Sequence, residues 1–153
     1  MVETVKETFI RMVTIDDIPQ LLPLMEQLGY LQNEQDFQKR FGVFMNEVGY
    51  GVSVAEQDEK IVGLVAWSKS IFFVSSKTRI HIEGLVVDEH YRGQGIGKKL
   101  MVFVEEFAKK FSPCIIDLTS GVRRAKDGSH EFYKALGYKN EGYMAKLYLR
   151  KEV

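Results

Sequence analysis

Cysteine is almost missing from this chain. Cys114 is the single one in 153 residues, so no internal disulfide can staple the fold. Its setting, Cys114-Ile115-Ile116, reads as a core position rather than a nucleophile. An excess charge of either sign is missing too: 21 basic residues balance 21 acidic ones. Net charge therefore gives no argument for a nucleic-acid or membrane partner, and any anion site must be local. No apolar run reaches membrane length and no leader-like segment is evident, so an intracellular, cytoplasmic, soluble chain is expected. His81, His90 and His130 are scattered without HExxH or similar spacing, which argues against a metal site. There is no repeat and no low-complexity linker. With 45% hydrophobic composition the chain can bury a real core, and residues 1–153 are expected to form a single domain.

What is present is a glycine-rich junction. Leu85-Val86-Val87-Asp88-Glu89-His90-Tyr91-Arg92-Gly93-Gln94-Gly95-Ile96-Gly97-Lys98 joins a β-like apolar run to a turn that opens a long amphipathic pattern. Alternating glycines let backbone amides face one concavity, and the next helix adds its unpaired first-turn NH groups and positive dipole end. A diphosphate suits such a cradle. Two familiar loops fail on spacing. A Walker loop needs glycine where Arg92 stands and Ser or Thr where Lys99 stands. The dinucleotide fingerprint GxGxxG needs glycine at position 98, which is lysine, and the motif lies mid-chain rather than opening a βαβ unit.

The rest of the chain falls into alternating elements. Glu7 to Val13 reads as a strand. Thr14-Ile15-Asp16-Asp17 is a helix cap for Ile18, Leu21, Leu22, Met25 and Leu28, and Gly29 ends that helix. A second helix runs from about Glu34, with Phe37, Phe41, Phe44, Met45 and Val48 on one face, until Gly49 and Gly51 break it. Gly51 to Gln57 and Lys60 to Ser68 make a hairpin around Asp58-Glu59. Arg79 to Val87 is a fourth strand, with Ile80, Ile82, Gly84 and Val86 on one side and His81, Glu83, Leu85 and Val87 on the other. Gly84 in mid-strand marks a bulge or a close approach by a ligand. Gly95 to Lys110 is a helix with Ile96, Leu100, Phe103, Val104 and Phe107 inward. Cys114 to Leu118 is a strand parallel to the fourth, Ser129 to Leu136 a last helix, and Gly142 to Leu149 a final strand. The order β-α-α-β-β-β-α-β-α-β predicts a mixed α/β (α+β) fold, a sheet with helices on both faces.

Val86-Val87-Asp88 through Arg92-Gly93-Gln94-Gly95-Ile96-Gly97 resembles the coenzyme A pyrophosphate loop of the GNAT superfamily of N-acetyltransferases. Ser129-His130-Glu131-Phe132-Tyr133-Lys134-Ala135-Leu136-Gly137-Tyr138 resembles that family's late helix, usually FYxxLGF, at the expected separation. The resemblance implies a GNAT-like, mostly antiparallel sheet with a splayed parallel pair at strands 4 and 5. It implies acetyl-CoA as cosubstrate, with amides of Gln94, Gly95, Gly97 and Lys98, together with Arg92, Gly93 and Ile96, around the pyrophosphate. The pantetheine arm would pair with the backbone of Leu85, Val86 and Val87 like an added strand. Glu83 matches the acid that many GNAT enzymes carry on this strand and is the candidate general base. Tyr133 matches the tyrosine that protonates the departing thiolate.

Such acyl transfer needs a neutral amine, a stabilised oxyanion and a proton for the leaving sulfur. Amides of Leu85 or Val87, freed where the strands splay, can serve the oxyanion. For each position a plainer role competes: Glu83 as an acid paired with His81, Arg79 or a neighbouring strand, Tyr133 as packing among Phe132, Leu136 and Tyr138. Arg123, Arg124 and Lys126 reach toward a 3′-phosphate or form a solvated loop. Lys126 stands where many members carry asparagine. Ser120 lacks a readable His and Asp arrangement and is a poor nucleophile.

In the family, the turn between the first two helices and the segment between strands 3 and 4 shape the acceptor pocket. Here those are Gly29 to Asn33 and Ser70 to Thr78, with Tyr30, Leu31, Phe72 and Phe73 as an apolar wall. Ile71-Phe72-Phe73-Val74 equally suits a strand extension or a homodimer contact. The main expectation is direct acetyl transfer to a primary amine of a small molecule in a ternary complex. The alternatives are a protein lysine or N-terminal acetyltransferase, and a non-catalytic acyl-CoA-binding sensor module.

Overall fold

The computed structural model describes residues 7–120 and 128–153. Nine elements follow in order: β1 (Phe9–Met12), α1 (Ile18–Leu28), α2 (Glu34–Asn46), β2 (Gly51–Gln57), β3 (Lys60–Ile71), β4 (Thr78–Val87), α3 (Ile96–Ala108), β5 (Cys114–Leu118) and α4 (Ser129–Ala135). The strands form one five-stranded sheet in the order β1-β2-β3-β4-β5, antiparallel except for the parallel β4–β5 pair. This is the mixed α/β class expected from the sequence. The chain divides into two compact units, Met1–Ile116 and Asp117–Val153, each described by itself below. Among the described residues no helix is long and apolar enough to cross a membrane.

Local chemistry sets the boundaries. Asp17 anchors the entry to α1: its carboxylate accepts from the Thr14 amide at 2.7 Å and from the Arg11 guanidinium at 2.8 and 2.9 Å, while Arg11 also reaches Glu56 at 3.0 Å. Only 6% of Asp17 is exposed. The Arg11 hydrogen bonds hold its carboxyl below the ordinary value against the opposing effect of burial. Asn33 caps α2 by accepting from the Asp36 amide at 2.8 Å. The β2–β3 turn is tight because Asp58 and Glu59 both take left-handed conformations, φ 51° and 62°.

Helices cover both faces. On one, Leu21, Leu24 and Ile18 of α1 and Phe37 of α2 pack on Val52, Val54, Leu64 and Val86. On the other, Trp67 stacks against Phe103 and Phe107 of α3, with ring centroids 6.4 and 5.5 Å apart. Trp67 is 2% exposed, and burying a side chain of that size contributes about 3 kcal/mol.

Two expectations are corrected. The simple alternation along β4 fails at Glu83. Ala66 pairs with Gly84 and Trp67 with Ile82, leaving Glu83 as an extra residue on β4. Directly paired residues share a face, so Ile80 and Ile82 lie with Trp67 on the α3 side. Gly84 and Val86 lie on the α1 side, where the Leu28 side chain comes within 3.2 Å of where a Gly84 Cβ would stand. The bulge sits beside Gly84 rather than on it, and it sets Glu83 and Gly84 on the same face.

The second correction concerns Gly142 to Leu149, which does not form a strand. Its start is a helical turn, Gly142–Met144. The Lys146 amide, which a ladder would have used, donates to Asn140 Oδ1 at 2.9 Å, and Leu147, Tyr148 and Leu149 are exposed. Smaller differences are one to three residues at element ends. β3 runs on to Ile71, so the strand-extension alternative holds for that residue, while Phe73 and Val74 are exposed beyond it.

Candidate active site

The glycine junction is built on a buried acid. Asp88, 7% exposed, ends β4 by donating its amide to Val62 O at 2.8 Å, and its carboxylate accepts from the His90 amide at 2.9 Å. That caps one helical turn, Glu89–Tyr91. The Glu89 amide is tied to Gln27 Oε1 of α1 at 2.9 Å. Arg92 is exposed and leans back over the strand end, its Nε donating to Val87 O at 3.3 Å.

Gly93 and Gly95 then turn the chain with φ of 82° and 78°. A side chain at either position would meet nothing within 4 Å, so glycine is demanded here by the backbone conformation and not by crowding. Gln94 is held from the side, its Oε1 accepting from Gln57 Nε2 at 3.2 Å. Ile96, 2% exposed, pins the start of α3 to the core. The first intrahelical bond is Lys99 N to Gly95 O at 3.1 Å, so the amides of Ile96, Gly97 and Lys98 precede any intrahelical acceptor. Those donors lie at the positive end of a 13-residue helix, an arrangement suited to an anion.

Upstream on β4, the bulge displays Glu83. Its Oε1 accepts from Ser68 Oγ of β3 at 2.7 Å, so the neighbouring-strand partner foreseen as one alternative is present. Glu83 itself is exposed. Nearby, Arg79 Nη2 lies 3.4 Å from His81 Nδ1. Leu85 and Val87 are half-buried and Val86 is buried. Glu83, Leu85, Val86, Val87 and residues 92 to 98 thus follow one another along β4 and into α3 within the first unit. Ser68, Gln27 and Gln57 support them and were missed in the sequence, because each acts across strands or elements in a register that no local pattern reveals.

Tyr133 belongs to the second unit. It sits half-buried on α4, edge-on to Phe132 at 5.1 Å and to Tyr138 at 6.1 Å. Gly137, with φ of 95°, ends the helix as the sequence suggested. Arg123, Arg124 and Lys126 lie outside the described residues. Cys114 is half-buried, and burial pushes its thiol up despite the Ile80 backbone and Lys69, which fits poorly with a nucleophile. Among the described residues no group of three or more His, Cys, Asp or Glu side chains is placed to hold a metal ion.

The sequence profile of the acetyltransferase (GNAT) family matches residues 16–138, spanning the glycine junction and α4 together. The chain belongs to that family. It is 32% identical over 144 residues to an uncharacterised N-acetyltransferase of Methanocaldococcus jannaschii, a match covering 90% of this chain and 63% of the relative. The chain thus spans under two thirds of that protein's length. It is 28% identical to the aminoalkylphosphonate N-acetyltransferase of Salmonella typhimurium, covering 88% of this chain and 86% of the relative. In fold it is similar to a GNAT family acetyltransferase structure from Staphylococcus aureus, with TM-score 0.79, 26% identity and coverage of 95% and 98%.

Proposed function

We propose that this GNAT family member is an acetyl-CoA-dependent N-acetyltransferase acting on a primary amine of a small molecule, with the whole chain working as one acetyltransferase domain. The observation that carries this is the junction between β4 and α3. Its two left-handed glycines and the first-turn amides of a core-pinned helix suit the pyrophosphate of coenzyme A. Membership of the acetyltransferase family and the small-molecule acceptor named for the Salmonella relative support the same reading. The family profile also crosses the division after Ile116, in keeping with a single domain.

In the proposed reaction, acetyl-CoA supplies a thioester carbonyl activated toward attack. Amides of Gln94, Gly95, Gly97 and Lys98, with Arg92, Gly93 and Ile96, hold its pyrophosphate. The backbone of Leu85, Val86 and Val87 receives the pantetheine arm along β4. An aliphatic ammonium has a pKa of about 10, so Glu83 takes its proton, directly or through water. The neutral nitrogen then forms the new C–N bond. The amide of Leu85 or Val87 donates to the carbonyl oxygen as it gains charge. When the C–S bond breaks, Tyr133 gives its phenolic proton to the thiolate. As the amide forms, the nitrogen releases its second proton to solvent and solvent reprotonates Tyr133, so protons and electron pairs balance with no covalent enzyme intermediate.

The test is release of free thiol from acetyl-CoA across a panel of small amines and peptides, beside calorimetry of acetyl-CoA binding. Turnover with small amines is expected. Turnover with peptides alone would make it a protein acetyltransferase, tight binding without turnover a sensor module, and no binding would remove the reading.

A further inference from the structure

The β2–β3 hairpin ends against the glycine junction, and its turn decides which side chains meet it. With Asp58 and Glu59 both left-handed, the turn closes on the directly paired residues Gln57 and Lys60. Such partners share a face, so both side chains leave the hairpin on the same side, and both arrive at the junction. Lys60 Nζ stands 5.2 Å from the centre of the Tyr91 ring, an exposed contact at the start of the loop. Gln57 is 4% exposed. Its Nε2 carries two hydrogens and meets two acceptors, Thr8 Oγ1 at 3.0 Å and Gln94 Oε1 at 3.2 Å. The result is a bonded chain from Thr8, just ahead of β1, through Gln57 to Gln94. Pairing of this kind fixes a buried carboxamide, because breaking either bond leaves a desolvated donor. Gln94 stands between Gly93 and Gly95, the two left-handed glycines, so its side chain is the handle by which that stretch is gripped.

Resting on the acetyltransferase reading above, we propose that Gln57 is a positioning residue for coenzyme A: it holds Gln94 so that the amides of Gln94 and Gly95 are set for the pyrophosphate before the ligand arrives. It touches no reacting atom. Glycine has the widest choice of backbone conformations, and a loose loop with two of them must be ordered by the ligand, which weakens binding. Tethering the residue between them removes much of that freedom in advance. Thr8 supplies the fixed end, because by accepting the second Nε2 hydrogen it keeps the carboxamide from rotating away from Gln94. The amides of Ile96, Gly97 and Lys98 need no such tether, since the buried Ile96 side chain already pins the start of α3. The cradle therefore has two supports, the core under the helix end and Gln57 under the turn that precedes it. The consequence is selective. Loss of the Gln57 bond weakens binding of a donor that carries the pyrophosphate, while the proton transfers assigned to Glu83 and Tyr133 proceed as before.

The experiment removes the bond from each end. Gln57→Met keeps the length and bulk of the buried side chain without its donors, and Gln94→Ala removes the acceptor from an exposed position. Binding of acetyl-CoA is followed by calorimetry, and turnover by thiol release from acetyl-CoA and from S-acetylpantetheine, a donor without the pyrophosphate. Each variant is expected to raise Kd and KM for acetyl-CoA about tenfold, with kcat at saturating acetyl-CoA and the KM of the amine unchanged. With S-acetylpantetheine, kcat/KM should stay at the native value. The double variant should bind acetyl-CoA about as weakly as either single one, because both changes remove the same bond. Native affinity in Gln94→Ala, additive losses in the double variant, or an equal loss with both donors overturns the positioning role and leaves the acetyltransferase reading intact. Should the native protein use S-acetylpantetheine too slowly to follow, a lowered kcat with acetyl-CoA becomes the overturning result in its place. Should Gln57→Met fail to fold, the affinity of Gln94→Ala for acetyl-CoA decides alone. No binding of acetyl-CoA to the native protein overturns the acetyltransferase reading and the positioning role with it.

Discussion

Glycine does two unlike jobs in this molecule, at the β4–α3 junction and inside the sheet. At Gly93 and Gly95 a side chain would have ample room, yet the backbone sits in the left-handed region. At Gly51 the position is crowded instead: an added Cβ would lie 2.4 Å from the Trp67 ring. One region spends glycine on aiming amides outward, the other on letting an indole lie flat against a neighbouring strand. Damage to the first should cost ligand binding, and damage to the second should cost the fold.

The largest effect expected separates chemistry from packing at a single atom. Tyr133→Phe keeps the ring contacts with Phe132 and Tyr138 but removes the proton, and kcat should fall by about 10² to 10⁴ with acetyl-CoA affinity nearly unchanged. Unaltered turnover would assign Tyr133 to packing alone. Next comes Gly51→Ala, where the indole must move: a loss of about 3 kcal/mol in chemical denaturation is expected, with normal acetyl-CoA affinity in the protein that remains folded. Gly93→Ala combined with Gly95→Ala should reverse that pattern. Acetyl-CoA binding, followed by calorimetry, should weaken about tenfold to a hundredfold with a smaller loss of stability than Gly51→Ala. A larger loss of stability than of affinity would break the contrast.

The smallest effect involves neither region and serves as a control. Asp17 titrates below its ordinary value in the folded chain because Arg11 hydrogen-bonds it, so its contribution is present above the unfolded carboxylate pKa. It is lost as pH falls through about 4 toward the lower folded value. Asp17→Asn should lower stability by about 2 kcal/mol at neutral pH and flatten the acid limb of a Tm profile between pH 6 and 3. An unchanged acid limb would show that the Arg11 pairing adds nothing.

Much of this was written in local patterns. Helical spacing gave α1, α2 and α3, the Asp58-Glu59 turn gave the hairpin, and the alternating glycines gave the junction with its flanking strand and helix. What escaped was everything set by register. Alternation along Arg79 to Val87 puts Ile82 and Gly84 on one face, and a single inserted residue puts them on opposite faces. The same insertion is what brings Ser68 to Glu83. Gly142 to Leu149 alternates like a strand, but alternation cannot reveal that Asn140 takes the Lys146 amide. Asp88 is a buried cap in a stretch whose composition reads as exposed turn. The parallel β4–β5 pair was legible because a connecting helix constrains its direction, whereas the bulge arises from how two strands meet.

Cys114 has one further consequence. The thiolate is the form that reacts with maleimides and disulfide reagents, and burial makes that form scarcer in the sole thiol of this chain. At neutral pH the protein should therefore label slowly with such reagents while folded. Coenzyme A liberated in solution should react much faster, giving turnover a low colorimetric background.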